Sequence, residues 1–130
     1  MKKAYPIILT PAEEGGYTVS VPDFGCSTQG EDIADALYMA RDVISLMGID
    51  MMDDGEEVPE ASSFDQIKTA PDEMKLMVDV DFAQYRREHD TRAVRKNCTI
   101  PSWLNDEASA AGINFSAVLQ DALKAQLGIV

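Results

Sequence analysis

The chain has 130 residues, enough for one domain or two small ones. Its 45% hydrophobic and 26% charged residues are typical of a soluble globular protein. The net charge of −12 excludes a protein whose whole surface is basic and binds nucleic acid without specificity. The charge is uneven, however. The front part, residues 1–90, has 7 basic and 20 acidic residues, whereas the rear part, residues 91–130, has 4 basic and 3 acidic residues. Two domains with different partners are therefore predicted.

The front part is predicted to be α+β. Alternating apolar residues indicate strands at 3–10 and 17–21, which a turn joins into a β-hairpin. A short third strand at 26–29 leads into a helix, whose apolar stripe begins at Ile33 and whose end is assigned to Gly48. We expect this stripe to pack on one face of a small antiparallel sheet.

An acidic stretch follows the helix. Residues 50–60 contain six carboxylates and no basic residue, which predicts a solvated loop, with a short helical turn near 64–67. A further strand at 75–81 and a short helix at 81–88 complete the front part. The polar residues 88–91 indicate a hinge to the rear part.

The rear part is predicted to be strand, helix, turn and helix. Alternation indicates a strand at 95–100, with Cys98 and Ile100 facing inward, then helices at 102–111 and from Asn114 to about residue 127. A segment of fewer than about 40 residues rarely buries enough core alone. A lone strand also leaves unpaired backbone groups on both edges. We therefore expect a homodimer in which two such strands pair antiparallel beneath four helices.

No targeting or cofactor pattern is evident in the sequence. No apolar run approaches the ~18 residues needed to span a bilayer, and Pro6 and Pro11 interrupt the segment where a signal peptide would be apolar. Cys26 and Cys98 are far apart without a CxxC motif, and His89 is the sole histidine. We expect a cytoplasmic protein with no cofactor and no membrane contact; a disulfide between the two cysteines is the less favoured alternative.

Two stretches of the rear part, KNCTIPSWLN and AGINFSAVLQDAL, resemble a ribbon-helix-helix DNA-binding domain. Such proteins lay a two-stranded ribbon in the major groove and contact bases with its outward side chains. The front part adds a pattern around the second strand and along the helix: Tyr17, Val19, Val21, Pro22, Asp23, Gly25, Thr28, Gly30, Ala34, Leu37 and Ala40. In this order the chain resembles, over nearly its whole length, the HicB antitoxins of bacterial toxin–antitoxin pairs.

The resemblance implies a fold and a function for each part. Residues 1–90 would form a partial RNase H-like domain that binds and blocks a HicA toxin, a small basic RNA-cleaving protein. Residues 91–130 would form a ribbon-helix-helix dimerisation domain that binds the operator DNA of its own operon. The expected assembly is a homodimer through the rear domain, and a tetramer is left open. A stand-alone ribbon-helix-helix regulator with a ligand-binding front domain is the alternative function.

The candidate DNA-binding residues lie in the rear part. Alternation places Arg95, Asn97 and Thr99 on the outer face of the ribbon, where Arg and Asn match guanine and adenine edges. The alternative is the ordinary polar face of a half-buried strand. Asn114 and Ser116 open the last helix, whose backbone N–H groups can hold a DNA phosphate. A plain helix cap is the alternative there, and the two are compatible.

The candidate toxin contacts are Asp23 and Phe24. They follow the second strand, on a loop where binding groups are often displayed. A carboxylate there would meet the cationic groups of a basic partner. A structural Pro-Asp turn is the alternative.

A metal-dependent nuclease is the lowest-ranked hypothesis. Asp79 and Asp81 share one side of their strand, Asp53 and Asp54 are adjacent, and paired carboxylates can hold Mg²⁺. Active enzymes of the RNase H fold carry an acidic residue in the first strand, and residues 5–9 contain none. We therefore predict no metal site and no catalytic residue, and thus no enzyme.

Overall fold

The computed structural model describes residues 2–129, which divide into two compact units. The N-terminal unit ends at Arg92 and the C-terminal unit begins at Ala93, two residues beyond the boundary placed on the sequence. The division lies within residues 90–101, which form neither helix nor strand.

The N-terminal unit is a four-stranded antiparallel sheet with two helices. Its elements are, in chain order, β1 (Lys2–Pro11), β2 (Tyr17–Val21), β3 (Cys26–Gly30), α1 (Ile33–Asp53), a single 3-10 turn (Phe64–Gln66), β4 (Met74–Asp81) and α2 (Phe82–His89). The strand order β3-β2-β1-β4 places β1 between β2 and β4. β1 pairs with β4 from Lys2 opposite Asp81 to Leu9 opposite Met74. The predicted α+β class with an antiparallel sheet is confirmed.

The core of this unit lies between one face of the sheet and α1. Tyr5, Ile7 and Leu9 are fully buried, because alternate residues of a strand share one face. From α1, three small or branched side chains at helical spacing complete the contact: Ala36, Ala40 and Ile44. The Asp32 side chain accepts a hydrogen bond from the Asp35 amide at 2.7 Å and so caps the start of α1.

The prediction that Gly48 ends the helix is wrong. α1 continues through Gly48 to Asp53, so residues 50–53 of the acidic stretch are helical, and only the remainder forms the expected loop. Packing explains why a glycine lies inside this helix, because a Cβ at Gly48 would overlap the buried ring of Phe82. Glycine costs about 1 kcal/mol inside a helix, but here its missing side chain leaves room for Phe82 at the start of α2.

The C-terminal unit consists of α3 (Ser102–Ala110) and α4 (Phe115–Leu127). Gly112 lies between them with a φ of 71°, the left-handed conformation predicted for it. None of the described side chains of this unit is buried. Its large apolar side chains include Val94 and Trp103, which are 87% and 64% exposed. A single copy of this unit therefore has no hydrophobic core of its own.

The strand predicted at 95–100 is not formed in the single chain. Cys98 and Ile100, which were expected to face inward, are both exposed. A strand needs a second edge to satisfy its backbone groups, and one copy supplies only one strand here. Pairing with another copy stays a prediction. Cys26 and Cys98 are free thiols, so the alternative of a disulfide is not realised.

Replacing Gly48 by alanine is expected to destabilise the N-terminal unit. In an exposed helix this change stabilises by about 1 kcal/mol, but here the new methyl group overlaps the Phe82 ring, and over-packing costs about 1–3 kcal/mol. Amide exchange of β1 measures the opening free energy of the unit. Asp50→Ala, on the exposed side of the same helix, is the matched control. Equal or greater protection in Gly48→Ala than in wild type would contradict this packing.

Candidate functional site

The acidic loop, residues 54–63, is anchored to the rest of the N-terminal unit by hydrogen bonds to two different elements. Asp23 Oδ2 accepts from the Ser62 amide at 3.0 Å, and Asp23 Oδ1 accepts from the Ser62 hydroxyl. The Tyr5 hydroxyl donates to the carbonyl oxygen of Pro59 at 2.7 Å. Because β1 and the β2–β3 turn each supply one anchor, the loop has a defined position on the sheet.

The carboxylates of this loop remain at the surface. Lys3 Nζ lies 3.6 Å from Glu60, whose side chain is 95% exposed. Three further carboxylates of the loop are exposed: Asp54, Glu56 and Glu57. Burial raises the pKa of Tyr5, and the charges of Asp23 and Glu60 raise it further. The Tyr5 hydroxyl therefore stays protonated at neutral pH and continues to donate to the loop.

Asp23 and Phe24, the predicted toxin contacts, both make intramolecular contacts. The rings of Phe24 and Tyr5 meet edge to face, with centroids 5.0 Å apart. Both carboxylate oxygens of Asp23 accept hydrogen bonds from Ser62. The structure thus gives these two residues a part in holding the acidic loop, and their contact with a toxin stays a prediction. The sequence signal that was missed is Ser62, one of two adjacent serines at the end of the acidic loop.

The carboxylates considered as Mg²⁺ ligands have other partners. Arg41 lies 3.0 Å from Asp79, and its hydrogen bond holds the pKa of Asp79 below the usual range. Arg86 lies 2.8 Å from Asp53. Asp81 caps α2 by accepting a backbone hydrogen bond at 3.1 Å, which lowers its pKa. Within residues 2–129, no group of three His, Cys, Asp or Glu side chains is placed to hold a metal ion.

A local ion pair lies at the end of the N-terminal unit. Arg92 Nε and Nη2 donate to the two carboxylate oxygens of Asp90, each at 2.9 Å, and the Arg92 amide donates to Oδ1 at 3.1 Å. These hydrogen bonds lower the pKa of Asp90 to about 2. The segment predicted as a hinge, 88–91, therefore begins as the last turn of α2 and continues into this pair.

The candidate DNA-binding residues are all accessible in the single chain. Arg95, Asn97 and Thr99 are exposed and lie in the segment without helix or strand. Asn114 caps α4, since its Oδ1 accepts from the Ala117 amide at 3.1 Å, so the predicted helix cap is confirmed. Ser116 is exposed in the first turn of α4. Contact of α4 with a phosphate stays a prediction.

Comparison with known proteins first defines the class, which is that of bacterial antitoxins. A family model described as the HicB-like antitoxin of bacterial toxin–antitoxin systems matches residues 5–122. The chain belongs to this HicB-like family, whose members are antitoxins and not enzymes. Within the described part of the chain, no helix is long and apolar enough to cross a membrane.

Individual proteins and solved structures are also similar to this chain. Antitoxin HicB of Escherichia coli K12 is 43% identical over 56 residues, which span 42% of this chain and 41% of that antitoxin. An uncharacterized 14.9 kDa protein from the rep–hol intergenic region of Haemophilus phage HP1 is 33% identical over 104 residues, or 77% of this chain and 74% of that protein. In a toxin–antitoxin complex from Streptococcus pneumoniae, one chain matches with a TM-score of 0.62 at 25% identity, covering 97% of this chain and 99% of that one.

Removing the hydroxyl of Tyr5 is expected to loosen the acidic loop without disturbing the core. Tyr5→Phe keeps the buried ring but loses the bond to Pro59, at a cost of about 0.5–1.5 kcal/mol. Amide exchange of Ser62 should become faster. Tyr17→Phe is the matched control, since among residues 2–129 no hydrogen bond involves the Tyr17 hydroxyl. Unchanged exchange at Ser62 in Tyr5→Phe would show that Asp23 alone holds the loop.

Proposed function

We propose that this antitoxin neutralises a HicA-like toxin through its N-terminal unit and represses its own operon through its C-terminal unit. The observation that carries the proposal is membership of the HicB-like family over residues 5–122. The uneven charge supports it, because the acidic excess lies wholly in residues 1–90. The solved relative from Streptococcus pneumoniae is itself part of a toxin–antitoxin complex.

Neutralisation by the N-terminal unit needs no chemistry. A toxin that cleaves RNA must offer a basic surface to the phosphate backbone. An acidic protein that covers this surface excludes RNA, and opposite charges also speed the encounter. The anchored acidic loop displays carboxylates in a fixed position, so the partner does not have to order them. We assign the sheet with α1 on one face to a partial RNase H-like fold that serves here as a binding scaffold.

Dimerisation of the C-terminal unit follows from its exposed apolar side chains. Antiparallel pairing of two copies of residues 95–100 would satisfy the backbone of both segments. It would also allow α3 and α4 of each copy to cover the paired strands and bury residues that are exposed in one chain, such as Leu104 and Leu123. We assign the resulting arrangement to a ribbon-helix-helix fold.

DNA recognition then follows from the two faces of the ribbon. Pairing that buries Cys98 and Ile100 turns Arg95, Asn97 and Thr99 outward, toward base edges in the major groove. The N-terminus of α4, at Asn114 and Ser116, would hold a backbone phosphate. Residues 91–130 have only one more basic than acidic residue, so one ribbon should bind operator DNA modestly and with clear salt dependence. Two dimers on one operator, as a tetramer, would strengthen repression.

Arg95→Ala combined with Asn97→Ala is expected to abolish specific operator binding and to leave toxin neutralisation intact. Each side-chain contact to a base contributes about 1–3 kcal/mol of discrimination, so their joint loss should weaken specific binding about 30-fold or more. A gel-shift assay with the DNA upstream of the operon measures this. Lys124→Ala, which removes an exposed basic residue of α4, is the charge control. Specific retardation by the double variant would reject the assignment of these residues.

Asp23→Ala combined with Phe24→Ala is expected to reduce protection of cells that express the toxin. Ser62→Ala is the matched control, because it weakens the same anchor of the acidic loop from the other side and keeps both candidate contacts. Loss of protection in the double variant alone, with amide exchange of β1 as in wild type, would identify direct contacts, since Phe24 also packs against Tyr5. Full protection by the double variant would show that Asp23 and Phe24 have only a structural role.

A further inference from the structure

The two most exposed large apolar side chains of the N-terminal unit both lie on α1. Tyr38 is 61% exposed and Leu46 is 48% exposed. The helical period brings Leu46 into one row with Asp35, Asp42 and Asp53, and Tyr38 lies beside that row. We call these five residues the α1 outer face. The row is ~27 Å long and lies away from the alanines that contact the sheet.

α2 packs beside the C-terminal half of this face. The Tyr85 hydroxyl donates to Asp42 Oδ1 at 3.1 Å, and the Tyr85 ring stacks on His89 with centroids 3.9 Å apart. Leu46 and Ile49 contribute the apolar part of a groove of about 370 Å³ beside these rings. The exposed leucine therefore lines a shallow open groove.

The α1 outer face includes three carboxylates and no basic residue. The arginines of the adjoining groove, Arg86 and Arg92, are paired with Asp53 and Asp90. Arg41 is the single basic residue of α1, and it points to Asp79 at the edge of β4, where its Nε also donates to the Asp79 carbonyl oxygen at 2.9 Å. Arg86 neutralises Asp53 at 2.8 Å. No cation within 4.0 Å balances Asp35 or Asp42 among the ion pairs of residues 2–129. The α1 outer face thus combines two exposed apolar side chains with uncompensated carboxylates.

We propose that the α1 outer face is a docking site for a basic protein, and that its occupant is the toxin; this inference rests on the proposed function. Aromatic and aliphatic side chains inside a charged rim are the usual centre of a protein interface. Complementary charge selects the partner. A second copy of this chain would set these carboxylates against their own equivalents across a two-fold axis. Nucleic acid and anionic lipid would be repelled by the same charge.

Tyr38→Ala combined with Leu46→Ala tests the site in the full chain. The HicA-like toxin of the proposed function is the probe, and calorimetry with the purified proteins gives the Kd. We expect the double variant to bind at least about tenfold more weakly than wild type. Alanine favours the helix and both positions are exposed, so the N-terminal unit should stay folded. Amide exchange of β1 checks this.

Met74→Ala combined with Met77→Ala is the matched control, since these β4 side chains are 37% and 43% exposed and lie outside α1. The control should bind the toxin as wild type does. If the α1 variant also binds as wild type does, the docking site is rejected while the proposed function stands. An equal loss in both variants rejects it too, because the effect is then not particular to α1. If wild type itself fails to bind the toxin, the proposed function fails first.

Discussion

The position of Tyr5 at the centre of the sheet connects the core of the N-terminal unit to its acidic surface. Its ring is fully buried on β1 and packs against Phe24, while its hydroxyl reaches the backbone of the acidic loop at Pro59. The same side chain therefore contributes apolar burial and a polar anchor. The bonds from Ser62 to Asp23 anchor the same loop. The strands therefore fix the position of the carboxylates in this loop.

The two units satisfy their apolar surface in different ways. In the N-terminal unit, α1 and the sheet bury each other within one chain. In the C-terminal unit, every large apolar side chain from Val94 to Leu127 is at least 38% exposed. Exposed apolar surface of this extent is unfavourable in water. Under the proposed function, folding of this unit is coupled to association, so its stability depends on protein concentration.

Local patterns in the sequence predict most of the fold. Alternation located β1 to within one residue at each end, because half-buried strands repeat every two residues. The start of α4 was predictable from Asn114, because a helix cap involves residues only three apart. The end of α1 was predicted wrongly because Gly48 leaves room for Phe82, which lies 34 positions later in the chain. A contact between such distant residues produces no periodic pattern in the sequence.

The candidate site was harder to predict for a related reason. Asp23 had the features of a displayed loop carboxylate, yet its partner Ser62 lies 39 residues away. Hydrogen bonds between distant loops follow from the tertiary fold, and no spacing rule encodes them. The segment at 95–100 is different again. Its alternation is clear, but a strand is defined by its partner, and the partner that we propose is a second chain.

The charge distribution couples the two proposed activities. Each protomer has a net charge of −12, so in the proposed dimer the acidic residues would repel the DNA that the ribbon attracts. A bound basic toxin cancels part of this repulsion, most effectively for charges within about 8 Å of the phosphates at physiological salt. Toxin binding should then raise operator affinity. Linkage requires the converse, since operator DNA must raise toxin affinity by the same factor. Under the proposed function, antitoxin that is already bound to the operator would therefore bind toxin most tightly.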